Sequence, residues 1–105
     1  MDREVTIVRL YLKESDRGRS KRLLDELLDL LRGQGLPGVT VFRGVAGFGE
    51  RGAAEADLLH LAGDLPLTVE FFDAPDKTEA LMTAVAGLAP HLHIVHWRAS
   101  ARTGS

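Results

Sequence analysis

"LPLTVEFFD", residues 65–73, decides how the rest of the chain is read. Threonine, valine and two adjacent phenylalanines are strand formers, and the run is bounded by loop-type residues. The eleven residues AAEADLLHLAG (53–63), one residue upstream of it, have helical propensity of their own. A strand at 65–73 nevertheless pairs most simply, as a hairpin, with GVTVFRGVA (38–46). That choice leaves 53–63 inside the connection.

The remaining elements follow outward from this hairpin. Residues 4–12, EVTIVRLYL, alternate and are rich in β-branched side chains, which predicts a first strand. Ser20 is placed to cap a helix in which Leu23, Leu24, Leu27, Leu28, Leu30 and Leu31 recur at helical spacing. Arg22 and Glu26, four apart, are expected to pair across one turn. Gly33 and Gly35 end this helix, and Pro37 bars its continuation. After the hairpin, Asp73 is the expected N-cap of a second helix with Pro75 in its first turn. Leu81, Met82, Val85 and Leu88 form its apolar stripe, Pro90 closes it, and HLHIVHW (91–97) is the last strand.

The order β-α-β-β-α-β is the split βαβ of ferredoxin-like folds. The expected class is α+β: a four-stranded antiparallel sheet with two helices on one face. One domain spans residues 1–98, and 99–105 is expected to be a polar C-terminal tail. Several strands are apolar on both faces. Val5 and Ile7 oppose Thr6 and Val8, Phe71 opposes Phe72, and Val95 and Trp97 oppose Leu92 and Ile94. Two helices cover only one face, so the other is expected to pack against another subunit.

Bulk properties narrow the function. The 105 residues amount to one domain, and 45% hydrophobic content is ordinary for a globular protein. A net charge of −2 gives no general attraction to nucleic acid or anionic membrane. The absence of cysteine excludes disulfides and thiolate ligands. No apolar run suits a bilayer span, so membrane insertion is not expected and the cytoplasm is the expected compartment.

The stretch RGVAGFGERG (43–52) holds Gly44, Gly47, Gly49 and Gly52, and its last six residues match G-x-G-x-x-G. A dinucleotide-binding turn would have to follow the first strand of a βαβ unit and open a helix. This one follows the second strand, so that reading fails. Two others stay open. Backbone amides at the glycines could converge on a phosphate, with Arg43 and Arg51 adding charge and Phe48 stacking on a base. Alternatively, this is a plain hairpin loop with incidental arginines.

Catalysis finds no constellation. His91 and His93 share a strand face while His96 points away, and a metal site needs three or four ligands. A third would have to come from His60 or a neighbouring subunit, so no metal is expected. Neither a G-x-S-x-G elbow nor a P-loop occurs. No acid, base and oxyanion set assembles, so the chain is not expected to be an enzyme.

LYLKESDR (10–17), LLRGQGLPGVTVFRGVAGFG (30–49) and DLPLTVEFFD (64–73) together resemble the domain of unknown function family 190, a PII-like group. The resemblance spans roughly residues 5 to 98. It implies a homotrimer of ferredoxin-like subunits that binds adenine nucleotides or related effectors in clefts between subunits, at the base of the loop after the second strand. By resemblance, Arg43, Gly44, Gly47, Phe48 and Gly49 are the ligand-binding residues. Glu50, Arg51 and Gly52 then form the part of the loop that meets a target protein, either a membrane transporter or an enzyme. Glu14, Ser15 and Asp16 match the family's first-loop motif, and Lys21 matches a lysine usual there. Asp64, Leu65 and Pro66 match its lead into the third strand. No cofactor is required, and the implied effector is an adenine nucleotide. Two departures stand out. Ser20-Lys21-Arg22 replaces a Gly-Lys-Pro, and Gly52-Ala53-Ala54-Glu55 stands where the family has a histidine-containing stretch. If that histidine holds the ligand, the alternative is an oligomeric protein–protein docking module with no small-molecule ligand.

Overall fold

The computed structural model describes residues 1–47 and 64–103. The described residues form β1 (Asp2–Lys13), α1 (Leu23–Leu31), β2 (Val39–Arg43), β3 (Pro66–Asp73), α2 (Pro75–Leu88) and β4 (His93–Arg102). The sheet order is β2-β3-β1-β4, and every neighbouring pair is antiparallel. This is the ferredoxin-like arrangement expected from the element order. Residues 53–63, the segment with helical propensity, lie outside the described residues.

The core forms where the alternation of the two central strands meets the helical stripes. Val8, Leu10 and Leu12 of β1 and Leu67, Val69 and Phe71 of β3 point to one face. Leu23, Leu27 and Leu31 of α1, one turn apart, and Leu81, Met82 and Val85 of α2 close over them. The outer strands contribute less: Val39 and Ile94 are only partly buried.

β1 and β4 are longer than the apolar pattern predicts. β4 runs past Arg98 into residues expected to be a polar tail, and Ala99–Arg102 pair with Asp2–Val5 of β1. Charge supports this extension in place of burial. Arg98 donates to Glu4 at 2.9 Å and Arg102 to Asp2 at 2.8 Å, each across the strand pair. At the other end, β4 begins at His93, leaving His91 in the turn before it.

β2 ends sooner than expected, at Arg43. The Gly44 N–H donates to the Pro66 carbonyl at 2.8 Å. Pro66 has no N–H to return the bond, so the ladder stops there. A Cβ on Gly44 would sit 2.7 Å from the Pro66 ring, so this glycine is required by close approach. Gly44 and Gly47 do not take positive φ; among the described residues Gly33 (84°) and Gly35 (72°) do, and they terminate α1 as the sequence suggests.

The helix starts differ from expectation. Arg22 occupies the N-cap of α1 and makes no side-chain cap. Instead the Glu26 carboxylate reaches back to the N–H groups of Ser20 and Lys21, at 3.0 and 3.2 Å. Those bonds, led by the one from Ser20, hold Glu26 below the usual carboxylate range. A side chain at Gly18 would collide with this carboxylate. Arg22 therefore pairs with Asp25 rather than Glu26.

In α2 the N-cap is Ala74, not Asp73. Asp73 lies one residue earlier and accepts from the Ala74 N–H at 2.7 Å, Lys77 Nζ at 2.8 Å and Arg3 at 3.4 Å. Burial alone would raise its pKa. Lys77, the Ala74 amide and Arg3 outweigh that and leave it lowered. A carboxylate of this kind stabilises the fold fully above the ordinary aspartate range, and loses that contribution as pH falls through its lowered folded value. Asp73→Asn should therefore cost about 1–3 kcal/mol at neutral pH. The deficit relative to the unmodified chain should shrink as urea unfolding is repeated at pH values below about 4.

Candidate functional site

The site lies at the end of the sheet where β1 turns toward α1, β2 stops and β3 begins. Lys13 and Asp16 close a tight turn: the Asp16 N–H donates to the Lys13 carbonyl at 3.0 Å, and the Lys13 N–H to Asp16 Oδ2 at 2.9 Å. Glu14 and Ser15 are the two middle residues of this turn. Both reach the start of β3. The Glu14 N–H donates to the Leu65 carbonyl at 2.9 Å, and Ser15 Oγ donates to Asp64 Oδ1 at 2.5 Å. The Asp16 carbonyl then accepts from the Leu23 N–H at 2.9 Å, which ties the turn to the first residue of α1.

Arg43 completes this unit from the last position of β2. Its Nε donates to Glu14 Oε1 at 2.8 Å, and its Nη2 lies 2.5 and 2.6 Å from the two carboxylate oxygens. This fork is a strong form of charge-assisted hydrogen bonding. The Glu14 side chain is 16% exposed and that of Arg43 is 57% exposed. The guanidinium thus stands at the surface with a largely covered carboxylate bonded to it.

Beside this unit lies an open cleft of about 1000 Å³. Lys13, Arg17 and Arg43 line it together with Tyr11, Phe42 and His93. Tyr11 and Phe42 are large hydrophobic residues left exposed. Gly44 and Gly47 also line it, so three expected ligand-binding residues, Arg43, Gly44 and Gly47, come together at one cleft. Phe48, Gly49, Glu50, Arg51 and Gly52 lie outside the described residues. Among the described residues no group of histidine and carboxylate side chains has the arrangement to hold a metal ion.

Sequence reasoning missed Tyr11, Lys13, Arg17, Phe42 and His93 as lining residues. A signal for three of them was present in the alternation. Tyr11, Phe42 and His93 fall on the strand positions that face away from the helices, in the cross-sheet row Phe42–Thr68–Tyr11–His93. The next row, Thr40–Glu70–Arg9–Val95, carries an ion pair in the middle of that face: Arg9 Nε lies 2.7 Å from Glu70 Oε1. The bonds of Arg9 to Glu70 first, and to Tyr11 second, hold its guanidinium still more firmly protonated. The Arg9 guanidinium carbon is 5.4 Å from the centroid of the Trp97 ring, within cation–π range. Neither helix covers this face.

Residues 5–101 match the DUF190 family, described as "Uncharacterized ACR". The chain belongs to the DUF190 family. Its relatives include the UPF0166 protein of Methanocaldococcus jannaschii, 30% identical over 76 residues, which make up 72% of this chain and 70% of the relative. The UPF0166 protein of Aquifex aeolicus is 29% identical over 82 residues, 77% of this chain and 78% of the relative. Among solved structures, CPII of Thiomonas intermedia bound to ADP and bicarbonate superposes with a TM-score of 0.66 at 16% identity, covering 100% of this chain and 93% of CPII. Another structure of CPII, a nitrogen regulatory PII-like protein, bound to ADP, AMP and bicarbonate, gives a TM-score of 0.63 at 12% identity, covering 100% and 98%. At these identities the likeness is one of fold, and the DUF190 chain has the PII-like form of the ferredoxin-like fold.

Glu14-Ser15-Asp16, Arg43-Gly44 and Asp64-Leu65-Pro66 lie in the three separate stretches that carry the resemblance to DUF190. In the folded chain they are one hydrogen-bonded unit. A double-mutant cycle with Glu14→Ala and Arg43→Ala should therefore give a coupling energy of about 1 kcal/mol in urea unfolding. Additive costs would mean that the fork contributes nothing to the fold.

Proposed function

We propose that this DUF190 chain is a PII-like regulatory protein that binds an adenine nucleotide in the cleft at the end of β2. The observation that carries the reading is the meeting of the three family motifs beside a cleft lined by Lys13, Arg17 and Arg43. Cations there suit the phosphates of a nucleotide. Exposed aromatic surface at Tyr11 and Phe42 suits its base. The ADP in structures of CPII, which shares the fold, supports the same class of ligand. Signalling follows if the nucleotide binds one state of the β2–β3 connection better than another, and a target protein reads the difference.

The sheet face that neither helix covers supports assembly. Val95 and Trp97 are large, exposed and next to the Arg9–Glu70 pair. Burying that face between copies of the chain removes apolar surface from water while keeping the charged pair matched. A trimer would bring each cleft beside a neighbouring subunit. Trp97→Asp should convert the oligomer to monomers in sedimentation velocity while leaving the circular dichroism spectrum unchanged. An oligomer that survives the substitution would move the interface to another surface.

One observation favours a second reading, an oligomeric docking module without a small-molecule ligand: Glu14 already fills the fork of Arg43. A thermal-shift series with AMP, ADP, ATP, cyclic nucleotides and bicarbonate separates the two. A ligand that binds only the folded protein raises its melting temperature by mass action. The regulator predicts a saturable shift with one adenine nucleotide that is lost in Arg43→Ala. No shift with any of these compounds would favour the docking module.

A further inference from the structure

We infer that Glu14 is a built-in competitor for the phosphate that the cleft would take, and so sets the affinity and selectivity of the site. The inference rests on the nucleotide-binding reading above. Arg43 is the cation at the junction of the cleft and the β2–β3 connection. Two of its nitrogens are committed to Glu14. A carboxylate and a phosphate present the same feature to a guanidinium: two oxygens spaced to accept parallel N–H bonds. An incoming phosphate must therefore displace Glu14 or share the fork with it.

The backbone at Glu14 is held independently of its side chain. Its backbone N–H is fixed to Leu65, and the turn that carries it is closed by Lys13 and Asp16. The turn therefore keeps its shape whether or not the Glu14 side chain holds Arg43. Arg43, at 57% side-chain exposure, keeps part of its surface open to an incoming ligand. What changes on displacement is the link between the end of β2 and the β1–α1 turn, because that link is the fork itself. The same exchange of partners would discriminate among ligands. A group must compete with a carboxylate for Arg43, which favours the terminal phosphates of a nucleoside diphosphate over an uncharged nucleoside.

A site whose competent form is populated only a fraction of the time binds more weakly by that fraction. If Glu14 occupies the fork about nine-tenths of the time, its removal should tighten ligand binding about tenfold. The test is isothermal titration of ADP and of adenosine into the unmodified protein, Glu14→Gln and the double variant Glu14→Gln/Arg43→Ala. The expected result is an ADP affinity about tenfold higher in Glu14→Gln, no such gain for adenosine, and no gain when Arg43 is also removed. ADP binding only to Glu14→Gln would support the inference equally. Equal or weaker ADP binding in Glu14→Gln, with the unmodified protein still binding, would overturn the inference and leave the nucleotide reading standing. Absence of ADP binding in both would overturn the two together. Should Glu14→Gln fail to fold, NMR of the unmodified protein decides. The Glu14 side-chain carboxyl carbon and Arg43 Nε resonances should move together and saturate with ADP, and resonances that stay in place while ADP binds would overturn the inference.

Discussion

The pairing of β1 with β3 is the constraint on which the remaining structure depends. Eight successive registers, from Thr6↔Asp73 to Lys13↔Pro66, align Val8, Leu10 and Leu12 with Phe71, Val69 and Leu67. A slip of one residue would turn that whole apolar set away from the helices. The same register fixes the far ends of the strands. At one end Thr6 meets Asp73, the carboxylate that ties Arg3, Lys77 and the start of α2 together. At the other end Lys13 meets Pro66, and the turn after Lys13 reaches Asp64 and Leu65. The candidate site is thus a direct product of the central register, since the two strand ends that build it are opposite one another only in that alignment.

The two faces of the sheet are built on different principles. The helix side is closed by apolar packing, and Leu27, Val69, Phe71 and Val85 there are fully buried. The other side places the Arg9–Glu70 pair between rows that carry Tyr11 with Phe42 and Trp97 with Phe72. A paired charge with an aromatic ring over it remains compatible with water and with a dry interface, because the partner travels with the charge. An all-aliphatic face would not have that tolerance.

The fold was largely legible in the sequence because its elements carry their own periodicity. The leucines of α1 and the alternation of β1 and β3 needed no tertiary information. The extended ends of β1 and β4 were not legible, since they are held by Glu4–Arg98 and Asp2–Arg102 and read locally as polar termini. Asp73 looked like a helix cap because residue type and position fit one, yet the strand carries it one residue too early. Of the site, the individual motifs were visible, and Arg43 was singled out for its charge. Its bond to Glu14 was not visible, because those residues lie 29 positions apart and no periodicity links them. Gly44 was noticed as a candidate meeting point for an anion; that its lack of a side chain also admits the Pro66 ring was not visible, because Pro66 lies far along the chain.

The strand order has a consequence for how the chain is made. β1 precedes the other described elements in the chain, yet both of its neighbours in the sheet, β3 and β4, come from the second half of the sequence. The Asp2–Arg102 contact closes a separation of 100 residues. Pairings of this reach are slow to form, because the loop must close before any contact rewards it. On the ribosome β1 therefore emerges with two open edges and an apolar stripe, and keeps them until β3 and β4 have followed. During that interval it is the segment most in need of a chaperone, and the one from which aggregation would start.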